Sequence, residues 1–161
     1  MIFVSVGTQL PFDRLISAID NWAAVHPDME IFGQIGRCTY VPRSFKSAPF
    51  LNAKEIDFLY GRAALVVGHA GMGTILGALT HSKPIIVMPR IAQNGEHRNE
   101  HQTATIRRLE SIKGVHIARE QADLFRMLDA FKERGLEGGE LSGSAPPAFI
   151  WAIRELLVDD A

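Results

Sequence analysis

Along the chain, short runs of apolar, often β-branched residues alternate with longer segments whose apolar positions recur every three to four residues. Ile2 to Val6 reads as a strand, and Pro11 to Val25 follows as a helix with Leu15, Ile16, Ile19 and Trp22 on one face. A second strand is expected at about Glu30 to Ile35. A polar stretch then runs from Gly36 to Ser47, a short extended piece covers Pro49 to Leu51, and Asn52 caps a helix that reaches Tyr60. The strand Leu65 to His69, the helix Thr74 to Leu79 and the strand Pro84 to Met88 come next. Beyond them lie a loop from Pro89 to Arg98, a helix from about Asn99 to Glu110, a strand Val115 to Ala118 and a helix Gln121 to Arg134, the last with Leu124, Phe125, Leu128 and Phe131 at core spacing. Strands that alternate with helices in this way predict an α/β domain, a Rossmann-like parallel sheet of about six strands flanked by helices.

Residues 1–134 carry that pattern. The stretch 135–147, GLEGGELSGSAPP, is rich in Gly, Ser and Pro and predicts a flexible linker. Ala148 to Val158 then forms an amphipathic helix with Phe149, Ile150, Ile153, Leu156 and Leu157 on one side, packing on the domain or on a partner. A chain of 161 residues with 47% hydrophobic content suffices for one core without disulfides. Seventeen Lys and Arg balance eighteen Asp and Glu, so the electrostatic footprint of a nucleic-acid binder is missing. The single cysteine, Cys38, reads as a half-buried thiol in a reducing cytoplasm. The chain opens directly on a strand with no signal-peptide pattern, and no apolar run approaches the ~18–20 residues that span a bilayer. A cytoplasmic protein that meets membrane only through a partner is the expectation.

The richest chemistry lies between Gly68 and Gln102. An apolar run leads to His69, and Gly71 and Gly73 let the backbone turn tightly into a helix whose first turn leaves N–H donors and partial positive charge, a setting for a diphosphate. Glycines at that spacing also occur where a strand and a helix merely pack closely. The loop after Met88 lies on the same sheet edge and is dense in hydrogen-bonding groups, Arg90, Gln93, Asn94, Glu96 and the run His97 to Gln102, as a hydroxyl-rich ligand requires. His97, Glu100 and His101 also fit the H-x-x-E-H pattern of a zinc hydrolase, with His69 as a third ligand. That motif normally lies in the middle of a helix, whereas here it opens one behind a strand, so the sugar-nucleotide reading is preferred.

His69-Ala70-Gly71-x-Gly73-Thr74, Lys83 to Pro89 and Asn99-x-His101-Gln102 together resemble the C-terminal, donor-binding domain of family 28 glycosyltransferases. Phe3 to Thr8, followed by Pro11 to Leu15, resembles the opening of the short free-standing members, and the match covers roughly residues 1–118. Met88-Pro89-Arg90 and the long loop before His101 look most like the bacterial exopolysaccharide glucuronosyltransferase subunits, relatives of the catalytic subunit of the dolichol-pathway N-acetylglucosamine transferase.

The resemblance implies the C-terminal half of a GT-B glycosyltransferase. Such a half is the donor-binding catalytic subunit of a two-component inverting enzyme that moves a sugar from a UDP-sugar, UDP-glucuronate favoured, to a polyprenyl-diphosphate-linked saccharide in exopolysaccharide or capsule synthesis. A membrane-anchored acceptor-domain subunit would complete it at the cytoplasmic face of the inner membrane, without metal or cofactor. A noncatalytic accessory subunit is the alternative. By the same resemblance Gly71, Gly73 and Thr74 face the diphosphate, and His101 and Gln102 bind donor-sugar hydroxyls. His69 touches diphosphate or sugar and is the one candidate base in a chain whose base is expected on the partner. Gly7 and Thr8 line the cleft floor, and Arg90 pairs with a uronate carboxylate. Many relatives hold the nucleotide ribose with a glutamate where this chain has Gly77, a contact that Glu96 or Glu100 would have to replace.

Overall fold

The computed structural model describes residues 1–91, 96 and 109–139. In chain order the elements are β1 (Ile2–Ser5), α1 (Asp13–Ala24), β2 (Ile31–Gln34), β3 (Lys46–Ala48), α2 (Ala53–Arg62), β4 (Leu65–His69), α3 (Met72–Thr80), β5 (Ile85–Met88), β6 (Val115–Ile117) and α4 (Gln121–Arg134). The strands form one sheet in the order β3-β2-β1-β4-β5-β6, every neighbouring pair parallel. Ser5 stands opposite both Gln34 and Gly68, and His69 opposite Met88.

Burial on both faces explains the uninterrupted apolar runs of β1 and β5. Ile2, Val4, Leu65, Val67, Ile86 and Met88 point to one side, where Leu15, Ile16, Ile19 and Trp22 of α1 and Leu124 and Leu128 of α4 cover them. The alternate residues Phe3, Val66, Ile85 and Val87 point to the other side, against Leu59 and Tyr60 of α2, Ile75, Ala78 and Leu79 of α3, and Leu109. The indole N–H of Trp22 donates to Asp129 at 2.8 Å and ties α1 to α4 across the first layer. Strand order reverses between β1 and β4, so the connections leaving their carboxyl ends run to opposite faces of the sheet, α1 on one and α3 on the other, the setting of a crevice in this kind of sheet.

Two expectations shift and one holds. The third strand is Lys46–Ala48, not Pro49–Leu51. Pro49 has no N–H to extend the ladder, and an exposed edge strand tolerates the polar residues that hide it from a hydrophobic pattern. The pocket helix begins at Met72, two residues before Thr74, with Gly71 as its N-cap. Asn52 does cap α2, in a reciprocal box with Glu55: Oδ1 accepts from Glu55 N–H at 3.0 Å and Glu55 Oε2 from Asn52 N–H at 2.8 Å.

Within the expected linker Gly135 and Glu137 are exposed, whereas Gly138 and Gly139 lie against neighbouring backbone. A Cβ on Gly138 would collide with the Ser82 carbonyl and one on Gly139 with the Lys113 carbonyl, so these glycines permit backbone-to-backbone contact at the sheet's amino edge. The rest of the linker, the amphipathic helix from Ala148, and all but the last two residues of the helix expected from Asn99 lie outside the described residues.

Candidate functional site

The crevice between β1 and β4 is built around one imidazole. Gly7, at the end of β1, has φ +74°, a left-handed turn that favours glycine. A Cβ there would lie 2.7 Å from His69 Cε1, and a Cβ on Gly71 would overlap the His69 Nε2 position. His69 therefore lies in a slot that exists because both neighbours are glycine. Gly68 brings the strands and helix together just below it: its missing Cβ leaves room for the Ser5 carbonyl oxygen and the Thr74 methyl. Gln34, buried at the end of β2, supports the turn from the far side. It accepts from Ser5 Oγ at 3.0 Å and donates to the carbonyls of Gly7 and Pro49 at 3.3 and 3.4 Å.

α3 starts at the mouth of this slot. Among the described residues no side chain caps it, and the N–H groups of Thr74 and Ile75 turn back onto the Gly71 carbonyl at 3.1 and 3.2 Å. The N–H groups of the first turn carry the positive end of the helix dipole. Among the described residues nothing lies within 4 Å of where a Cβ on Gly73 would be. Thr74 is buried instead, with its methyl against Gly68. Gly7, His69, Gly71, Gly73 and Thr74 are thus gathered at one place, with Thr8 exposed on the same turn.

Arg90 and Glu96 do something else. Arg90 is 7% exposed and faces inward: Nη1 donates to the carbonyls of Pro11 (2.7 Å) and Glu96 (3.2 Å), and Nη2 to those of Val6 (2.8 Å) and Leu10 (2.9 Å). Glu96 takes a two-pronged contact from Arg14, 2.9 Å from both Nε and Nη2, and accepts from the Ile91 N–H at 2.8 Å. A guanidinium meant for a uronate and a carboxylate meant for a ribose are both committed to the protein's own loops. His97, Glu100, His101 and Gln102 lie outside the described residues. Among the described residues no cluster of three His, Cys, Asp or Glu could hold a metal ion.

Gly77 has a packing reason. A Cβ on it would lie 2.5 Å from two carbons of the Tyr60 ring. That ring is fixed: edge-on to Phe3 at 5.2 Å, stacked with His81 at 5.6 Å, and donating its hydroxyl to the Thr74 carbonyl at 3.3 Å. A glutamate at this position would collide with α2.

Sequence reasoning did not single out Gln34, Arg14 or Tyr60. Gln34 carries a signal, since a polar residue closing an apolar run needs buried partners. Asp13 and Asp20 were equally silent. Asp13 accepts from the N–H groups of Thr39 and Tyr40 at 2.8 and 3.0 Å, and Asp20 from those of Ser44 and Arg43 at 2.7 and 2.9 Å and from the Tyr40 hydroxyl at 2.8 Å. Burial pushes both carboxyl pKa values up, but these hydrogen bonds outweigh it and hold them below the ordinary aspartate value. The two carboxylates fasten the segment after β2 to α1.

This chain is similar to the UDP-N-acetylglucosamine transferase subunit ALG13 of Eremothecium gossypii, with 36% identity over 108 residues that cover 66% of this chain and 49% of that protein. It thus spans about half the length of that curated relative. An NMR solution structure of ALG13 resembles it with a TM-score of 0.60 at 20% identity, over 85% of this chain and 87% of the other. The UDP-GlcNAc 2-epimerase of Methanocaldococcus jannaschii gives 0.57 at 12% identity, over 98% of this chain and 45% of that one. The kitacinnamycin glycotransferase gives 0.56 at 16% identity, over 98% and 39%. At such identities the structural likeness establishes the fold, a parallel Rossmann-like unit of the kind found within larger GT-B proteins. Residues 1–130 match the model of the glycosyltransferase family 28 C-terminal domain, and the chain belongs to that family.

Proposed function

We propose that this chain is the donor-binding, catalytic subunit of a two-component inverting glycosyltransferase that uses a UDP-sugar. The observation that supports it most is the open first turn of α3 beside the His69 slot, at the point where strand order reverses. The acceptor hydroxyl attacks the anomeric carbon, the bond to the diphosphate oxygen breaks, and UDP leaves with the electron pair. Negative charge grows on the diphosphate during that step. Preorganised N–H groups at the α3 start, around Gly71 and Gly73, stabilise it without needing to reorient, and His69 adds a ring nitrogen at the same edge. The acceptor's proton goes to a base on the partner subunit, with His69 as the candidate within this chain. His101 and Gln102 take donor-sugar hydroxyls.

The missing half is an acceptor-domain subunit anchored in the membrane, and the acceptor is a polyprenyl-diphosphate-linked saccharide. Among the described residues no helix is long and apolar enough to cross a membrane. UDP-glucuronate remains the favoured donor and exopolysaccharide or capsule synthesis the setting, on the likeness of Met88-Pro89-Arg90 and the following loop to that branch; with Arg90 turned inward, the preference draws nothing from its charge.

The test is calorimetric titration of the full chain, alone and co-expressed with a candidate membrane-anchored subunit, against UDP, UDP-glucuronate, UDP-galactose and UDP-N-acetylglucosamine. Binding of UDP by the chain alone and transfer only with the partner are expected. A complex that transfers sugar while this chain binds no nucleotide would assign it an accessory, noncatalytic role instead. Full-rate transfer by the isolated chain would refute the half-enzyme reading.

A further inference from the structure

Two arginines cross between the loops that follow β1 and β5, in opposite directions. Arg90, just past β5, reaches the carbonyls of Val6, Leu10 and Pro11, the two ends of the turn that holds Gly7 and Thr8. Arg14, in the first turns of α1, reaches back to the Pro89 carbonyl at 2.7 Å, to Met88 Sδ at 3.2 Å and to both carboxylate oxygens of Glu96. The centre of the Phe12 ring lies 4.7 Å from the Arg90 guanidinium carbon and 5.2 Å from that of Arg14. Glu96 closes the circuit, its carboxylate on Arg14 and the Ile91 N–H, its carbonyl on Arg90.

The need for such a device is local. The turn after Val6 leaves the sheet with a left-handed glycine, and the described residues give it no ladder partner, so its shape must be imposed by side chains. A planar guanidinium can bridge carbonyls that are four and five residues apart in sequence, which an ammonium group on a flexible stem does less well. What the turn positions is the Gly7 side of the His69 slot, with Gly7 packed against the imidazole.

We infer that Arg90, with Arg14 and Glu96, is a positioning element for the donor site: it fixes the Val6–Pro11 turn so that Gly7 and Thr8 are held against His69. The inference rests on the donor-binding reading above. Arg90 itself touches no reacting atom. It acts through the turn, and its loss changes how well a complete UDP-sugar is held more than how well UDP is held at the start of α3.

The experiment uses the full chain and the variants Arg90→Gln, Arg90→Lys and Glu96→Gln, each followed by calorimetry with UDP and UDP-sugars and by NMR of Gly7. Gly7 lies against an aromatic ring, so its Hα resonance carries a ring-induced shift in the wild type. In Arg90→Gln that shift collapses towards the unstructured value, UDP-sugar affinity falls about tenfold or more, and UDP affinity changes less than about threefold, a split of at least ~0.7 kcal/mol between the two ligands. Arg90→Lys fails to restore the wild-type pattern, and Glu96→Gln, which keeps the Glu96 carbonyl on Arg90, moves both readouts the same way by less. Should Arg90→Gln not fold, Glu96→Gln alone decides, on the same two readouts. An unmoved Gly7 signal with unchanged UDP-sugar affinity overturns the inference. A wild type that binds neither UDP nor any UDP-sugar defeats the donor-site reading instead, and the Gly7 signal still reports whether Arg90 holds the turn.

Discussion

Gly77 and Tyr60 form a pair whose coupling has a sign that can be measured. In an open helix, Gly→Ala gains about 1 kcal/mol because alanine loses less backbone freedom on folding. Here the new methyl carbon would lie 2.5 Å from the Tyr60 ring, well inside contact distance. The ring cannot swing away cheaply. It is 5% exposed, crossed by Phe3 at 90°, stacked on His81, and bonded through its hydroxyl, and burial has pushed its phenol pKa up to about 12. Overpacking of this kind costs ~1–3 kcal/mol, so Gly77→Ala should destabilise the chain by roughly 1 kcal/mol net. Tyr60→Ala alone should cost ~3–5 kcal/mol, by analogy with other large aromatic deletions. In the Tyr60→Ala background the collision is gone, and Gly77→Ala should then stabilise by up to about 1 kcal/mol, a coupling of ~2 kcal/mol. Urea unfolding of the four proteins gives each term. Additive effects, or an alanine at 77 that stabilises the wild type, would refute the packing account of why this position departs from glutamate.

Asp20 should dominate part of the acid limb of stability. Its folded pKa lies below the unfolded value near ~3.9, so its contribution is present above that value and is lost as pH falls through the folded pKa. Asp20→Asn should therefore cost about 2 kcal/mol at pH 7, with the gap to wild type narrowing below about pH 4, as read by denaturant unfolding across pH; a gap independent of pH would contradict the assignment. Cys38 accepts a hydrogen bond from the Phe12 N–H, and burial raises its thiol pKa to about 11. At pH 8 its thiolate fraction is roughly 0.1%, so alkylation in the native protein should run on the order of 100-fold slower than in urea, and equal rates would refute that environment.

How much of this was legible follows burial. β1, β4 and β5 are covered on both faces, so Ile2–Ser5, Leu65–His69 and Ile85–Met88 show as apolar runs and announce the parallel sheet. Lys46–Ala48 is an edge strand with exposed polar residues, and the hydrophobic pattern passes over it. The turn at Gly71 and Gly73 is readable because two glycines behind a strand restrict what can follow. The slot for His69 is not, because it needs Gly7, more than sixty residues away, brought alongside by the pairing of Ser5 with Gly68. Arg90 marks the limit of composition. A guanidinium in a polar loop looks the same in sequence whether it faces a ligand or four backbone carbonyls, and those carbonyls leave no trace in side-chain identity. At Gly138 and Gly139 the missing Cβ atoms let two backbones touch, a packing use of glycine that composition alone does not separate from a flexible connection.

The central claim, that the start of α3 receives the donor diphosphate, is most directly tested at Gly73. Among the described residues nothing lies within 4 Å of a Cβ placed there, so Gly73→Asp and Gly73→Ala should both fold with stability within ~1 kcal/mol of wild type, the aspartate even favoured by the helix dipole. A carboxylate at that point faces the incoming phosphates. Calorimetric titration with UDP should show binding lost by about 100-fold or more in Gly73→Asp, with Gly73→Ala affected far less. Wild-type UDP affinity in Gly73→Asp would contradict the placement of the diphosphate.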